Sequence, residues 1–205
     1  MPIGILGTKL GMTIMFDKRG NQIAVTLVQA GPCTITQIKT KEQDGYNSIQ
    51  LGYKTATKSK LNKPQLGHLA KTGETSLNFL KEFKNKSNEI IEKNIITVND
   101  FSVNQKIKIT GSGKGHGFMG CHKRHNFARG PMTHGSKNHR LPGSIGAGST
   151  PGRVYPGTKM AGNKKSSKTT LLGLEIFFIE PDLNLLVFKG SIPGKKGSLV
   201  KITSM

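Results

Sequence analysis

The chain has 205 residues, with 31 Lys and Arg against 11 Asp and Glu, a formal charge of +20, and 34% hydrophobic residues. So much positive charge on so small a body repels itself unless a polyanion neutralises it, which argues against an ordinary metabolic enzyme. Two cysteines, Cys33 and Cys121, cannot build a disulfide framework, and no apolar run reaches the roughly 18 residues of a membrane span.

The opening, MPIGILGTKLGMTIMF, lacks the basic start and cleavage site of a signal peptide, and strand-like sequence starts near residue 3. Residues 12–16 (MTIMF), 23–30 (IAVTLVQA), 33–39 (CTITQIK) and 48–53 (SIQLGY) are short, rich in β-branched and apolar residues, and read as strands. Asp17-Lys18-Arg19-Gly20-Asn21 reads as a hairpin turn and Gly31-Pro32 as a breaker. Residues 54–63 are polar and basic, a loop. Ser76–Lys86 carries Leu77, Leu80 and Phe83 at helical spacing, so 54–100 reads as a mixed α/β insertion. Leu171–Glu180 and Asn184–Lys189 flank Pro181-Asp182-Leu183 as a hairpin, and Leu199–Thr203 is a last strand. Many short strands at close spacing favour a mainly β chain with a small β-barrel body over a βαβ fold. Residues 1–110 would supply its first part and 169–205 the strands that complete it.

Between them lies a different kind of sequence. No Asp or Glu occurs between Asp100 and Glu175, while 101–174 holds 13 Lys and Arg and five of the six histidines, His116, His122, His125, His134 and His139. From Gly111 to Gly162 apolar residues are scattered singly, and neither a two-residue nor a 3.6-residue period survives. Residues 111–168 therefore read as a basic, Gly-rich, non-globular extension, mobile when free and ordered by a polyanion. Glycine permits close backbone approach, and basic side chains neutralise phosphates.

Specific chemistry is weakly signalled there. Gly115-His116-Gly117-Phe118-Met119-Gly120 matches G-x-G-x-x-G, but Cys121-His122-Lys123-Arg124-His125 is a poor helix start and no acid follows before Glu175. Cys121, His125, His134 and His139 have permissive zinc-ligand spacing and define the alternative reading, a zinc-binding nucleic-acid regulator. The segment holds no carboxylate for catalysis or for metal-dependent nuclease chemistry, so no enzyme is expected. The basic clusters Lys164-Lys165-Ser166-Ser167-Lys168 and Lys195-Lys196 suit phosphate contact. Its few aromatics, Phe118, Phe127 and Tyr155, argue against a platform for single strands. The lack of a helix pattern argues against reading a DNA major groove. Folded RNA, met by shape and backbone, fits best.

These residues resemble the large-subunit ribosomal protein L-three family of the bacterial and plastid type. The resemblance runs in order through GILGTKLGMT (4–13), DGYNSIQLGY (44–53), KPQLGHLAKTG (63–73) and NLLVFKGSIPGKKGS (184–198). It is longest in KRHNFARGPMTHGSKNHRLPGSIGAGSTPGRVYPGTKMAG (123–162). It implies a β-barrel body on the large ribosomal subunit and an extension, with its tip at His134–Gly157, that enters the RNA toward the peptidyl transferase centre. It also implies a role in early assembly near the 3′ end of the large, 23S-type, ribosomal RNA. Some bacterial members carry a methylated glutamine where this chain has Ser149. Asn163-Lys164-Lys165-Ser166 replaces the family's usual Gly/Met-containing turn.

On this reading the RNA-binding residues are Lys114, Lys123, Arg124, His125, Arg129, His134, Lys137, Asn138, His139, Arg140, Gly143, Ser144, Gly146, Ser149, Arg153, Lys159, Lys164 and Lys165. The expected partners are ribosomal RNA and neighbouring large-subunit proteins, with no membrane, no homo-oligomer, no cofactor and no metal. The arm resembles the cyanobacterial and plastid branch, and Lys-, Asn- and Ile-rich drift elsewhere suits an AT-rich organelle genome. A plastid ribosome is thus the expected location, with a bacterial cytoplasm as the alternative.

Overall fold

The computed structural model describes residues 4–71, 73, 76–84 and 94–205. In chain order the described elements are β1 (Ile5–Phe16), β2 (Gln22–Ala30), β3 (Cys33–Lys39), α1 (Lys41–Asp44), β4 (Ser48–Thr55), α2 (Lys63–Ala70), β5 (Leu77–Lys84) and β6 (Ile95–Ile96). There follow β7 (Lys106–Ser112), β8 (Gly117–Met119), α3 (Cys121–His125), β9 (Gly162–Lys164), β10 (Lys168–Glu180), β11 (Leu185–Lys189) and β12 (Leu199–Ser204). The chain divides into two compact units, Lys114–Ser167 and the remainder. Among the described residues no helix is long and apolar enough to cross a membrane.

The larger unit is built on a closed antiparallel barrel in the order β1-β12-β7-β10-β11-β2. Closure brings sequence-distant strands together: Ile5 faces Ile202, Val200 faces Gly111, and Phe188 faces both Ile176 and Thr26. The two-residue period decides which side chains go inside. In β7, Ile107 and Ile109 are buried while Lys106 and Lys108 are exposed; in β12, Val200 and Ile202 are buried. A Cβ on Gly7 would lie 2.7 Å from Val28 Cγ1 and 2.8 Å from the Gln29 carbonyl oxygen, so β1 and β2 approach this closely only because glycine stands there. A bulge follows between Lys9 and Gly11. Lys9 is buried, and its Nζ donates to the carbonyls of Ile192 (2.9 Å) and Gly194 (3.2 Å). Those bonds offset the cost of removing an ammonium from water, and they pin the loop before β12.

The second sheet of this unit has the order β5-β4-β3-β6. It shares one apolar core with the barrel, in which Ile49, Leu51, Phe83 and Ile96 join Ile5, Ile109, Phe188 and Ile202. Cys33 sits in that core. Its Sγ accepts from the Leu6 amide at 3.4 Å and faces the Leu6 carbonyl at 3.6 Å, and burial pushes the thiol up to about 12. The Lys201 amine stands 4.0 Å over the Phe83 ring centroid and donates to the Glu82 carbonyl, tying β12 to β5.

The strands expected from the flanks are present, β1 reaching back to Ile5. The Asp17–Asn21 turn closes with Asp17 N–H donating to the Asn21 carbonyl at 2.9 Å, and Asn184 N–H closes the second hairpin on Pro181. Two readings change. The strands at 33–39 and 48–53 belong to the second sheet, not to the barrel. The helical spacing of Leu77, Leu80 and Phe83 does not make a helix: β5 pairs along β4 from Thr55↔Leu77 to Ser48↔Lys84. Leu77, Phe79 and Phe83 also lie at even spacing, and the open edge of β4 satisfies the backbone of a segment too short for an independent helix. Lys86 lies outside the described residues.

Candidate nucleic-acid interface

The smaller unit, 114–167, contains ten Lys and Arg and no Asp or Glu. At its base β8 pairs with β9, Phe118 opposite Asn163, and the His116 amide adds a bond to the Lys164 carbonyl at 3.0 Å. Asn163-Lys164 is thus part of a ribbon, which settles the local backbone after Gly162. Gly120 then leads into α3, a helix that the sequence alone did not announce. It is five residues long, and Asn126 ends it in the left-handed region at φ 59°, its amide donating to the His122 carbonyl. Met119, before the helix, and Cys121, its first residue, are buried.

Three side chains of α3 serve as scaffold. His122 Nδ1 donates to the Phe127 carbonyl at 2.7 Å, Arg124 Nη1 to the Met160 carbonyl at 2.9 Å, and His125 Nε2 to the same oxygen at 3.0 Å. A side chain on Gly162 would collide with the Arg124 guanidinium. The short helix is thereby stapled to the irregular segment that leads into β9, a tertiary tie that replaces missing helical propensity.

From Asn126 to Ala161 there is neither helix nor strand, yet turns recur. The Gly130 amide donates to the His139 carbonyl at 3.2 Å, and His139 Nδ1 donates to the Pro131 carbonyl at 2.9 Å. A Cβ on Gly130 would strike the Asn138 carbonyl oxygen. Tyr155-Pro156-Gly157-Thr158 is a turn with Pro second and Gly third at φ 84°. Both the Thr158 amide (3.3 Å) and its hydroxyl (2.7 Å) donate to the Tyr155 carbonyl.

All 18 residues expected to meet RNA lie in this unit, and all are exposed except His125 and His139, which are half-buried. Arg124, His125 and His139 spend hydrogen bonds on the unit's own carbonyls. The lysines at 114, 123, 137, 159, 164 and 165 and the guanidiniums of Arg129 and Arg140 face solvent. Gly143 and Gly146 stand in open space, at φ 81° and 140°, so within this unit their value is backbone conformation; the tight contacts are at Gly130 and Gly162. Sequence reasoning passed over the pairing of Arg153 with Tyr155, 5.8 Å from guanidinium carbon to ring centroid, although their i, i+2 spacing carried the signal. The zinc reading fails on geometry. Cys121 is buried, His125 and His139 are bonded to separate carbonyls, and among the described residues no three His, Cys, Asp or Glu side chains are grouped to hold a metal ion.

Comparison with known proteins agrees with the resemblance. The chain is 59% identical to large ribosomal subunit protein uL3c of Cyanophora paradoxa, over 100% of this chain and 99% of that protein. It is 54% identical to large ribosomal subunit protein uL3 of Synechococcus elongatus, over 99% and 96%. A uL3 of Prochlorococcus marinus is 55% identical over 98% and 94%. The family model described as ribosomal protein L3 matches residues 69–184, more than half of the chain and including the entire basic unit. With that match and these full-length relatives, the chain belongs to the ribosomal protein L3 family.

Proposed function

We propose that this protein is a structural constituent of the large ribosomal subunit, not an enzyme, and that it binds large-subunit ribosomal RNA. The observation that carries the reading is the second unit: ten cationic side chains, no carboxylate, and little apolar core. Such a segment has no internal counter-charge, and RNA phosphates supply one. Of the expected extension, 111–168, the smaller unit 114–167 is the part that enters RNA, directed toward the peptidyl transferase centre, since Gly111, Ser112 and Lys168 pair within the barrel. The first part of the body, 1–110 with an insertion at about 54–100, and the closing strands, 169–205, form the seat on the subunit. Early binding there helps nucleate assembly, and neighbouring large-subunit proteins are further partners. The relative from Cyanophora and those from cyanobacteria support a plastid ribosome as the location, with a bacterial cytoplasm as the alternative.

The test is co-sedimentation of the tagged chain with large subunits, followed by ultraviolet cross-linking and peptide mapping. Cross-links concentrated in 114–167 are expected. Absence from large subunits would overturn the reading, and cross-links confined to the barrel would overturn the role of the extension.

A further inference from the structure

Most of the cations in the smaller unit are single side chains in solvent, suited to phosphate and indifferent to base. One place differs. Arg153 lies 5.8 Å from the ring centroid of Tyr155, and Tyr155 is still 60% exposed, so the ring is covered in part by a guanidinium and open elsewhere. The backbone that carries the ring is held: the Tyr155 carbonyl takes two bonds from Thr158 across the Pro156-Gly157 turn, and Pro156 fixes the backbone directly after it. Upstream, the Gly152 amide bonds the Gly148 carbonyl at 3.1 Å, so the pair stands between two closed turns. An exposed aromatic on a braced backbone loses little entropy on binding a flat partner. With no carboxylate anywhere in the unit, Arg153 has no anion of its own there to hold.

From this juxtaposition we propose that Tyr155 and Arg153 form a binding site for one unpaired nucleobase, which stacks on the open face of the tyrosine ring while Arg153 neutralises an adjoining phosphate. The site rests on the RNA-binding reading and adds base contact to an otherwise backbone-directed surface. Stacking on an aromatic is sequence-tolerant because every base has a π face, so the site selects unpaired over paired nucleotides rather than one base over another.

The experiment uses the full-length chain and two probes: a ten-nucleotide oligoadenylate, and the same backbone with every base removed. Tyr155→Ala should bind oligoadenylate about 5- to 140-fold more weakly, the range set by loss of one base–aromatic stack. The abasic probe should bind Tyr155→Ala and the parent alike. Tyr155→Phe should match the parent on both probes, because the ring acts and the hydroxyl does not. Arg153→Ala should weaken both probes and flatten the slope of log affinity against log salt by about 0.7, the value for one phosphate on a single strand. If Tyr155→Ala weakens both probes equally, the ring is only scaffold and the proposal is wrong while RNA binding stands. If the parent binds neither probe even at low salt, the RNA reading itself falls.

Discussion

Ile176 is fully buried in β10, opposite Phe188 of β11, and its backbone bonds Gln105 and Asn104 independently of the side chain. Ile176→Ala therefore removes only packed atoms. Three carbons at roughly 0.8 kcal/mol each give about 2.4 kcal/mol of lost transfer energy. Truncations of this kind in packed cores, cavity cost included, come to about 2–5 kcal/mol in all. For a chain of this size that lowers Tm by about 4–20 °C. Gly146→Val is the paired perturbation. An added Cβ there meets nothing within 4 Å, and the cost is backbone strain at φ 140° within the smaller unit. The main thermal transition, followed by circular dichroism on the free full-length chain, should move with Ile176→Ala and stay put with Gly146→Val. Incorporation into large subunits should report the converse for the glycine. A Gly146→Val melt displaced as far as that of Ile176→Ala would show that the glycine-rich segment belongs to the cooperative core, and the division of labour proposed here would be wrong.

Lys123→Ala should flatten the salt dependence of RNA affinity by about 0.7–0.9, one phosphate contact; an unchanged slope in a filter-binding titration would mean that Lys123 touches none. Gly130→Ala must displace the Asn138 carbonyl, so the amide of residue 130 should lose hydrogen-exchange protection, whereas Gly135→Ala, in open space at φ 71°, should leave that amide protected. Cys33, its thiol held up to about 12 against an ordinary 9.0, should resist alkylation at pH 8 about a thousandfold more than a free cysteine. Because the folded state keeps this proton after the unfolded state has released it, Cys33 makes stability fall as pH climbs from about 9 toward 12, which urea titrations across that range would detect.

The barrel was legible because its strands obey one local rule. Alternation in LVKIT and the turns at Gly20 and Pro181 are short-range signals, and they survive into the structure, whereas the equally alternating KIKIT of β7 went unread. What was hidden is pairing partner. Nothing local distinguishes CTITQIK, bound for the second sheet, from IAVTLVQA, bound for the barrel, since both are short and rich in β-branched and apolar residues. The run from Leu77 to Phe83 fits two periods at once, and only the free edge of β4 chooses between them. In the basic unit the composition was plain but the internal ties were not. Arg124 looks like any other phosphate-facing arginine until Met160, thirty-six residues on, is placed within reach.

The barrel's closure has a consequence for how it is made. β12 lies between β1 and β7, and it follows the other five barrel strands in the chain. Until Leu199–Ser204 emerges from the ribosome that synthesises it, β1 and β7 each present an unpaired edge, and Ile5, Ile109 and their neighbours lack the wall that covers them. Before β10 and β11 are made, the barrel has only the β1–β2 hairpin and an unpaired β7, so the loop of uncompensated cations between β7 and β10 is complete before the strands that join them. Closure is a late event of high sequence separation, slow by its topology, during which a polyanion or a chaperone could reach the chain before the barrel is sealed.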